Sequence, residues 1–274
     1  MNNDYKSDNN LYNINLLRFL GKIVKDNFNV NVRYFYDKIN SRINEFTFFP
    51  FFIICGKYIL LINHDFKSGF LSQNQDFIET AVMKFDKMFS ESKNLFRVVS
   101  NVADYMRICT QLELTCKEKF YTLQYHPCVL YNGDEKLTSS HIKDSFVLKS
   151  ALINEIKTRE ENKTITGYNL HPAAGTKDFL DKGFTSDMSD AYSVPFSVAE
   201  RNEILKKIKL SKNHVDVELK TDFVTLPKEM CVCCYDNGTV MISYQSKLNE
   251  CARFILNEKG LYKSVNNFFE YLIQ

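Results

Sequence analysis

Asp236-Asn237-Gly238 lies between two runs, residues 230–235 and 239–244, that are dominated by β-branched, aromatic and sulfur-bearing side chains. Asn-Gly supplies the positive φ angles that a tight reversal demands, so this spacing predicts a β-hairpin and, with it, an antiparallel sheet near the C-terminal end. On such a strand Cys231 and Cys233 share one face and Cys234 points to the other. A second hairpin is expected from residues 46–54 and 58–62 around the short link Cys55-Gly56-Lys57. Both of its runs are almost continuously apolar, which predicts a sheet covered on both faces.

Helical periodicity accounts for much of the remaining chain. Ile14, Leu17, Leu20 and Val24 recur at helical spacing over residues 13–25. A helix over 74–89 is expected to bury Phe77, Ala81, Val82, Phe85, Met88 and Phe89, with Glu79, Lys84, Asp86 and Lys87 on the opposite side. Another over 101–114 turns Val102, Tyr105, Met106, Cys109 and Leu112 inward. Residues 120–131 suit a strand interrupted at Pro127 and therefore near a sheet edge. A helix over 142–156, a polar link over 157–166 and a short helix over 176–181 ending at Gly183 come next. Ser197-Val198-Ala199-Glu200 forms a capping box in front of a helix to about Lys209, with Ile204, Leu205 and Ile208 inward. Residues 215–224 and 253–256 suit strands, and a final helix over 261–273 buries Val265, Phe268, Phe269 and Leu272.

The predicted class is α+β. Helix, strand, hairpin and amphipathic helix occur in that order over residues 13–89 and again over 197–273. That order resembles sensory modules of the PAS, GAF or profilin-like kind. The expected organisation is a disordered lead-in over 1–10, an N-terminal sensory-like module over 11–131, a helical or loop connector over 132–192 and a C-terminal module over 193–274. No residue-level repeat accompanies it.

Composition narrows the function. Thirty-five basic against 33 acidic residues leave a formal charge of +2, a small excess for a protein that coats nucleic acid. Lys206, Lys207, Lys209 and Lys212 suit the C-terminal dipole of a helix. The N-terminus lacks an apolar signal core, and the most apolar stretch, residues 46–62, is broken by Pro50, Gly56 and Lys57. A cytoplasmic location is therefore the expectation, with the eight cysteines as reduced, mostly buried thiols.

The reactive side chains offer several candidates for chemistry. Cys231, Cys233 and Cys234 lack the second pair that a zinc site needs, although Cys251 and His214 could approach them. His126-Pro127-Cys128 sets a base near a thiol, on opposite faces if the segment is extended. Ala174-Gly175-Thr176-Lys177 matches only the end of a phosphate loop. Gly183-Phe184-Thr185-Ser186 resembles the Ser-Thr-Ser region of ADP-ribosyltransferases, with His171 and Tyr192 as pocket residues and Glu229 as the carboxylate. That resemblance implies an enzyme using NAD, but the Glu-x-Glu pattern and upstream Arg of the family are missing. The alternative at this segment is a helix cap at Gly183 followed by a turn over Thr185, Ser186 and Asp187. No catalytic residue, metal site or cofactor is expected. A ligand pocket, if formed between the first hairpin and its helix, would be lined by Phe52, Ile54, Tyr58, Phe77 and Phe85 and would suit an apolar or aromatic small molecule.

Three segments carry a family resemblance: residues 192–197 (Tyr-Ser-Val-Pro-Phe-Ser) leading to Ala199-Glu200-Arg201, residues 226–232 (Leu-Pro-Lys-Glu-Met-Cys-Val), and residues 268–272 (Phe-Phe-Glu-Tyr-Leu). With residues 120–128 they are similar to the C-terminal regions of helix-turn-helix-associated regulators of low-GC Firmicutes. The resemblance spans about half of the chain and implies a sensory part linked to transcriptional control. Residues 1–28 hold one expected helix rather than a two-helix DNA-reading unit, which leaves direct DNA binding by this chain in doubt. The expected function is a cytoplasmic regulatory or ligand-sensing module, acting as a homodimer or through a protein partner on binding a small molecule. The alternatives are the NAD-using enzyme and a phage or mobile-element protein that inhibits a host factor.

Overall fold

The computed structural model describes residues 31–34, 51–63, 65–99, 102–132, 135–161, 165–210, 214–219, 227–247 and 250–274. The helix expected over 13–25 and the start of the first hairpin at 46–50 lie outside them. The described residues fall into two compact units, 31–95 and 96–274.

In the smaller unit, β2 (Phe51–Cys55), β3 (Tyr58–Ile62) and β4 (Gly69–Ser72) form an antiparallel sheet in sequence order. Cys55 pairs directly with Tyr58, so Gly56 and Lys57 alone make the turn, and Gly56 supplies its positive φ of 56°. Helix α1 (Gln75–Glu91) starts at Asn74, whose side chain accepts the Phe77 N–H at 2.9 Å. Its inward line is Ile78 and Ala81, packed on Ile59, Leu61, Phe52 and Ile54. The expected stripe is therefore turned by about one residue. The small Ala81 lets the helix approach the sheet, and Phe77, Val82 and Phe85 stay largely exposed. A two-stranded ribbon, β1 (Arg33–Tyr34) with β5 (Lys93–Asn94), is tied to the helix end, where the Arg33 guanidinium lies 4.0 Å over the Phe89 ring. The expectation that both sheet faces are covered is corrected. Phe51, Ile53 and Leu71, which alternate with the residues facing α1, are 44%, 55% and 61% exposed.

The larger unit is built on one mixed seven-stranded sheet. Its strands are β6 (Phe96–Val98), β7 (Lys119–Gln124), β8 (Thr166–Pro172), β9 (His214–Leu219), β10 (Met230–Tyr235), β11 (Thr239–Lys247) and β12 (Glu250–Leu256). They lie side by side in the order β6-β12-β11-β10-β7-β8-β9; β7, β8 and β9 run parallel and all other neighbours antiparallel. The β10–β11 reversal occurs where Asp236-Asn237-Gly238 predicts it. Tyr235 pairs with Thr239, so the loop has three residues, and Gly238 at φ 92° carries the positive angle. The Asp236 carboxylate accepts the backbone N–H groups of Lys117, Glu118 and Lys119, pinning the hairpin to the start of β7.

The strand expected at 120–131 is shorter and lies inside the sheet, between β8 and β10, rather than near an edge. Pro127 falls beyond the end of β7 and so removes no ladder hydrogen bond. Helix α2 (Val102–Leu114) covers one face through Ile108 and Cys109, against Phe120, Cys233, Tyr235, Met241 and Ile255. The final helix (Lys259–Leu272) covers the other face, where Phe269 stacks on Tyr121 at 5.2 Å. Cys231 and Cys233 share the α2 face, with their sulfurs 3.6 Å apart, and Cys234 points away, as expected for a strand.

The parallel strands are joined by helices. Between β7 and β8 run α3 (Val129–Asn132), α4 (Glu135–His141) and α5 (Lys149–Glu161). Of the helix expected over 142–156 only the part from Lys149 on is helical, in α5; α4 ends at His141, and Ile142 instead bridges to Ser193. Between β8 and β9 run α6 (Ala173–Lys182) and α7 (Val198–Leu210), which makes the final helix α8. Gly183 ends α6 at φ 76°, and the Ser197/Glu200 box caps α7 through Ser197 N–H to Glu200 at 2.7 Å. Val129, Leu152, Ile156, Phe179, Met188, Phe196, Ile204 and Ile208 form the helical core beside the parallel strands. Residues 132–192, expected as a connector, contribute β8, a strand flanked on both sides. One sheet thus draws on the segments expected as first module, connector and second module. The architecture is α+β.

Candidate functional site

Three parallel strands end together at one edge of the larger sheet, the place where ligands of open α/β sheets usually bind. The site is built there from the segments that leave β7 and β8 and from the turn that precedes β10. β7 ends at Gln124, and the Gln124 carboxamide donates to the His126 carbonyl at 3.0 Å, fixing the backbone as it leaves the sheet. β8 passes directly into α6, whose first turn carries Gly175. A Cβ there would lie 1.6 Å from the Tyr125 carbonyl oxygen, so only glycine permits this approach. Asp178, three residues on and hence on the same helix face, is thereby brought to His126. Past the Gly183 cap, Thr185, Ser186, Asp187 and Met188 form a turn closed by Met188 N–H to the Thr185 hydroxyl at 3.1 Å. Residues 227–229 form the turn that leads into β10, the antiparallel neighbour of β7, and carry Lys228.

These elements converge on His126. Its Nε2 lies 3.1 Å from Asp178 Oδ2 and its Nδ1 lies 2.8 Å from Ser186 Oγ. Lys182 Nζ reaches Asp178 Oδ1 at 2.8 Å and Lys228 Nζ reaches Oδ2 at 3.1 Å. Burial opposes the charge of Asp178, but its hydrogen bonds from Lys182, His126 and Lys228 outweigh that and hold the carboxyl well below the usual carboxylate range. Burial of the His126 ring, partly offset by Asp178, pushes the imidazole below its ordinary value, so it is neutral at pH 7. An ionised Asp178 requires a proton on Nε2. The Nδ1 lone pair of the neutral ring is then left to accept the Ser186 hydroxyl. Lys228 is raised by its bond to Asp178, and its ammonium lies 4.9 Å over the Tyr125 ring.

Asp187 holds the two halves of the site in register. Its carboxylate accepts the Leu130 N–H at 2.9 Å, the Cys128 thiol at 3.2 Å and the Thr185 hydroxyl, while its carbonyl accepts the Tyr192 hydroxyl. The turn bearing Ser186 is thus tied to the segment that follows His126. A second histidine lies one strand over. His171, 1% exposed, meets Asp216 Oδ2 at 2.9 Å, and Thr176 donates to Glu218 at 2.8 Å beside it.

Of the residues singled out by sequence, Phe52 and Ile54 come together on the inner face of the small sheet, whereas Tyr58, Phe77 and Phe85 are 38%, 43% and 47% exposed. His126 and Cys128 do not meet as base and nucleophile; each bonds a different residue of the 185–188 turn. The residues cast as an NAD pocket have separate partners: His171 holds Asp216, Ser186 holds His126, Tyr192 holds Asp187, and Glu229 is exposed. Gly175 serves close packing rather than a phosphate loop. Sequence reasoning missed Asp178 and Lys228 and did not join Ser186 to His126. Among the described residues no group of three or more His, Cys, Asp or Glu is placed to hold a metal ion. Nor is any described helix long and apolar enough to cross a membrane.

No protein-family model matches the chain, and no curated protein matches it. A solved structure similar to it is that of TrmBL2, an archaeal chromatin protein with a novel mode of DNA binding. It is 10% identical, with 86% of this chain and 79% of that chain covered and a TM-score of 0.31. The expectation that leaves direct DNA binding in doubt is corrected by this finding, since the protein aligned over most of this chain is one that binds DNA.

Proposed function

We propose that this chain is a regulatory module that senses a small polar molecule at the carboxyl edge of β7, β8 and β9, and that it is linked to transcriptional control. One observation carries the reading: His126, Asp178, Ser186 and Lys228, from four separate segments, converge there in one hydrogen-bonded group. Binding sites commonly combine a few convergent polar groups with shifted pKa values, and this group has both. The link to transcription rests on the similarity of residues 192–201, 226–232 and 268–272 to Firmicutes regulators. A homodimer in the cytoplasm, as expected of such modules, belongs to the same reading.

Thermal shift of the full chain against a library of sugars, carboxylates, nucleotides and amino-acid derivatives tests it. A ligand at one hundred times its Kd stabilises by about 2.7 kcal/mol. The expected result is at least one compound that raises Tm for the native chain but not for Lys228→Ala. No stabilisation by any compound, together with a monomer by light scattering, would contradict the proposal.

A further inference from the structure

We propose that Ser186 is a nucleophile for acyl transfer, with His126 as its base and Asp178 as the group that orients the base, acting on small carboxylic esters or thioesters. The proposal rests on the ligand-sensing reading in one respect, that the carboxyl edge of the sheet admits a small molecule.

Three relations make the case. The nucleophile–base distance, Ser186 Oγ to His126 Nδ1, is 2.8 Å, and the base–orienter distance, His126 Nε2 to Asp178 Oδ2, is 3.1 Å. Both fall within the reach that such a relay needs. The two ring nitrogens exchange the places they take in the familiar serine hydrolases. What the chemistry requires is a lone pair facing the hydroxyl and a proton facing the carboxylate. Asp178, kept ionised by Lys182 and Lys228, imposes that tautomer. The third relation is rigidity. Asp187 ties the Ser186 turn to Leu130 N–H and the Cys128 thiol, so hydroxyl and imidazole are held in register before a substrate arrives.

The step balances without an outside oxidant or cofactor. Ser186 Oγ forms a bond to the acyl carbon while its proton passes to His126 Nδ1, leaving an imidazolium braced by Asp178. The carbon–oxygen or carbon–sulfur bond to the leaving group then breaks. The leaving group keeps the electron pair and takes the proton from Nδ1. Water, giving a proton to Nδ1, next attacks the acyl-Ser186 ester, and the carboxylic acid departs as the proton returns to Oγ. While Nδ1 carries a proton the Ser186 hydroxyl is free to donate to the Lys228 carbonyl, 3.2 Å away, so the carbonyl parks it in an unreactive orientation.

The full chain is treated with a fluorophosphonate probe, which phosphonylates activated serines, and the modified residue is located by tandem mass spectrometry. Release of p-nitrophenolate from p-nitrophenyl acetate is followed in parallel. The expected result is one adduct, at Ser186, and a burst of product. Labelling should fall ~10²–10⁴-fold in His126→Gln and Asp178→Asn, the range that general-base assistance supplies. Its rate in the native chain should rise with pH along a limb whose midpoint lies below 6.5, the limb being absent in His126→Gln. Circular dichroism and melting of each variant separate lost chemistry from lost folding. An unlabelled Ser186 in the folded native chain, or equal labelling rates in native chain and folded His126→Gln, would overturn the proposal. A compound that stabilises the native chain while Ser186 stays unlabelled defeats acyl transfer and leaves ligand sensing standing. Labelling at Ser186 with no stabilising compound does the reverse.

Discussion

Gly175→Ala is the substitution for which fold and site make the sharpest joint prediction. In an open helix this change adds about 1 kcal/mol of stability, because alanine is the better helix former. Here the added Cβ would stand 1.6 Å from the Tyr125 carbonyl oxygen, 2.7 Å from its carbon and 3.3 Å from the His126 Cα. All three are backbone atoms, so no rotamer relieves the overlap, and the two segments must part by roughly 2 Å to restore van der Waals separation. Overpacking of this kind costs about 1–3 kcal/mol, and a clash with backbone belongs at or above the top of that range. Set against the helix gain, the net effect is a loss of about 2 kcal/mol, or roughly 4–8 °C in Tm for a unit of this size. Because α6 carries Asp178, the same displacement lengthens the 3.1 Å contact to His126, and the His126 pKa should move with it. Calorimetry with NMR of the histidine side chains reads both. An unchanged or higher Tm with His126 signals in place would refute the close approach of α6 to β7.

Asp236→Asn should destabilise the chain by about 1–3 kcal/mol at pH 7, since an ionised acceptor of three backbone N–H groups is lost. Burial opposes the charge of Asp236, but the N–H groups of Lys119, Glu118 and Lys117 outweigh it and lower its pKa. Its contribution is therefore fully present above about pH 3.9, the unfolded value, and is lost as pH falls through the folded one, so urea titrations of native and variant chains should converge below pH 4. Ser197→Ala should cost about 0.5–2 kcal/mol through loss of the α7 cap, read in the same titrations. Among the described cysteines Cys55 is exposed and should react with a thiol reagent within seconds, while Cys109, Cys116, Cys128, Cys233 and Cys234 react only on unfolding. Rapid modification of the Cys233-containing peptide in the native protein would contradict the α2-covered sheet.

Local chemistry was well legible in the residues. Asp236-Asn237-Gly238, Asn74, Gly183 and the Ser197/Glu200 box each act within a few positions of themselves, and each marks a turn, start or end in the structure. β8 was not legible. Gly167, Asn169 and His171 interrupt its apolar character, and a strand flanked on both sides by parallel neighbours need not alternate. Pro127 misled in the other direction, because its effect on a ladder depends on where the strand stops. The stripe on α1 could not fix the rotation of the helix, since apolar residues span a broad arc and Ala81, the smallest, sets the contact. The site was hidden by distance along the chain. Ser186 lies 60 residues from His126 and Asp178 lies 52 residues from it, and only the β7–β8 pairing closes those gaps. His126 just past a buried strand, and Gly175 at the start of a helix, were the available signals.

The central claim is that burial keeps the His126 ring neutral while Asp178 and Ser186 hold it in one tautomer at the carboxyl edge of the sheet. Long-range nitrogen–proton NMR of the histidine side chains across pH 4 to 9 tests it most directly. The account predicts a His126 midpoint below 6.5, with the proton on Nε2 in the neutral ring and a mixed tautomer in Asp178→Asn. A midpoint at or above 6.5, with a tautomer ratio indifferent to Asp178, would contradict it.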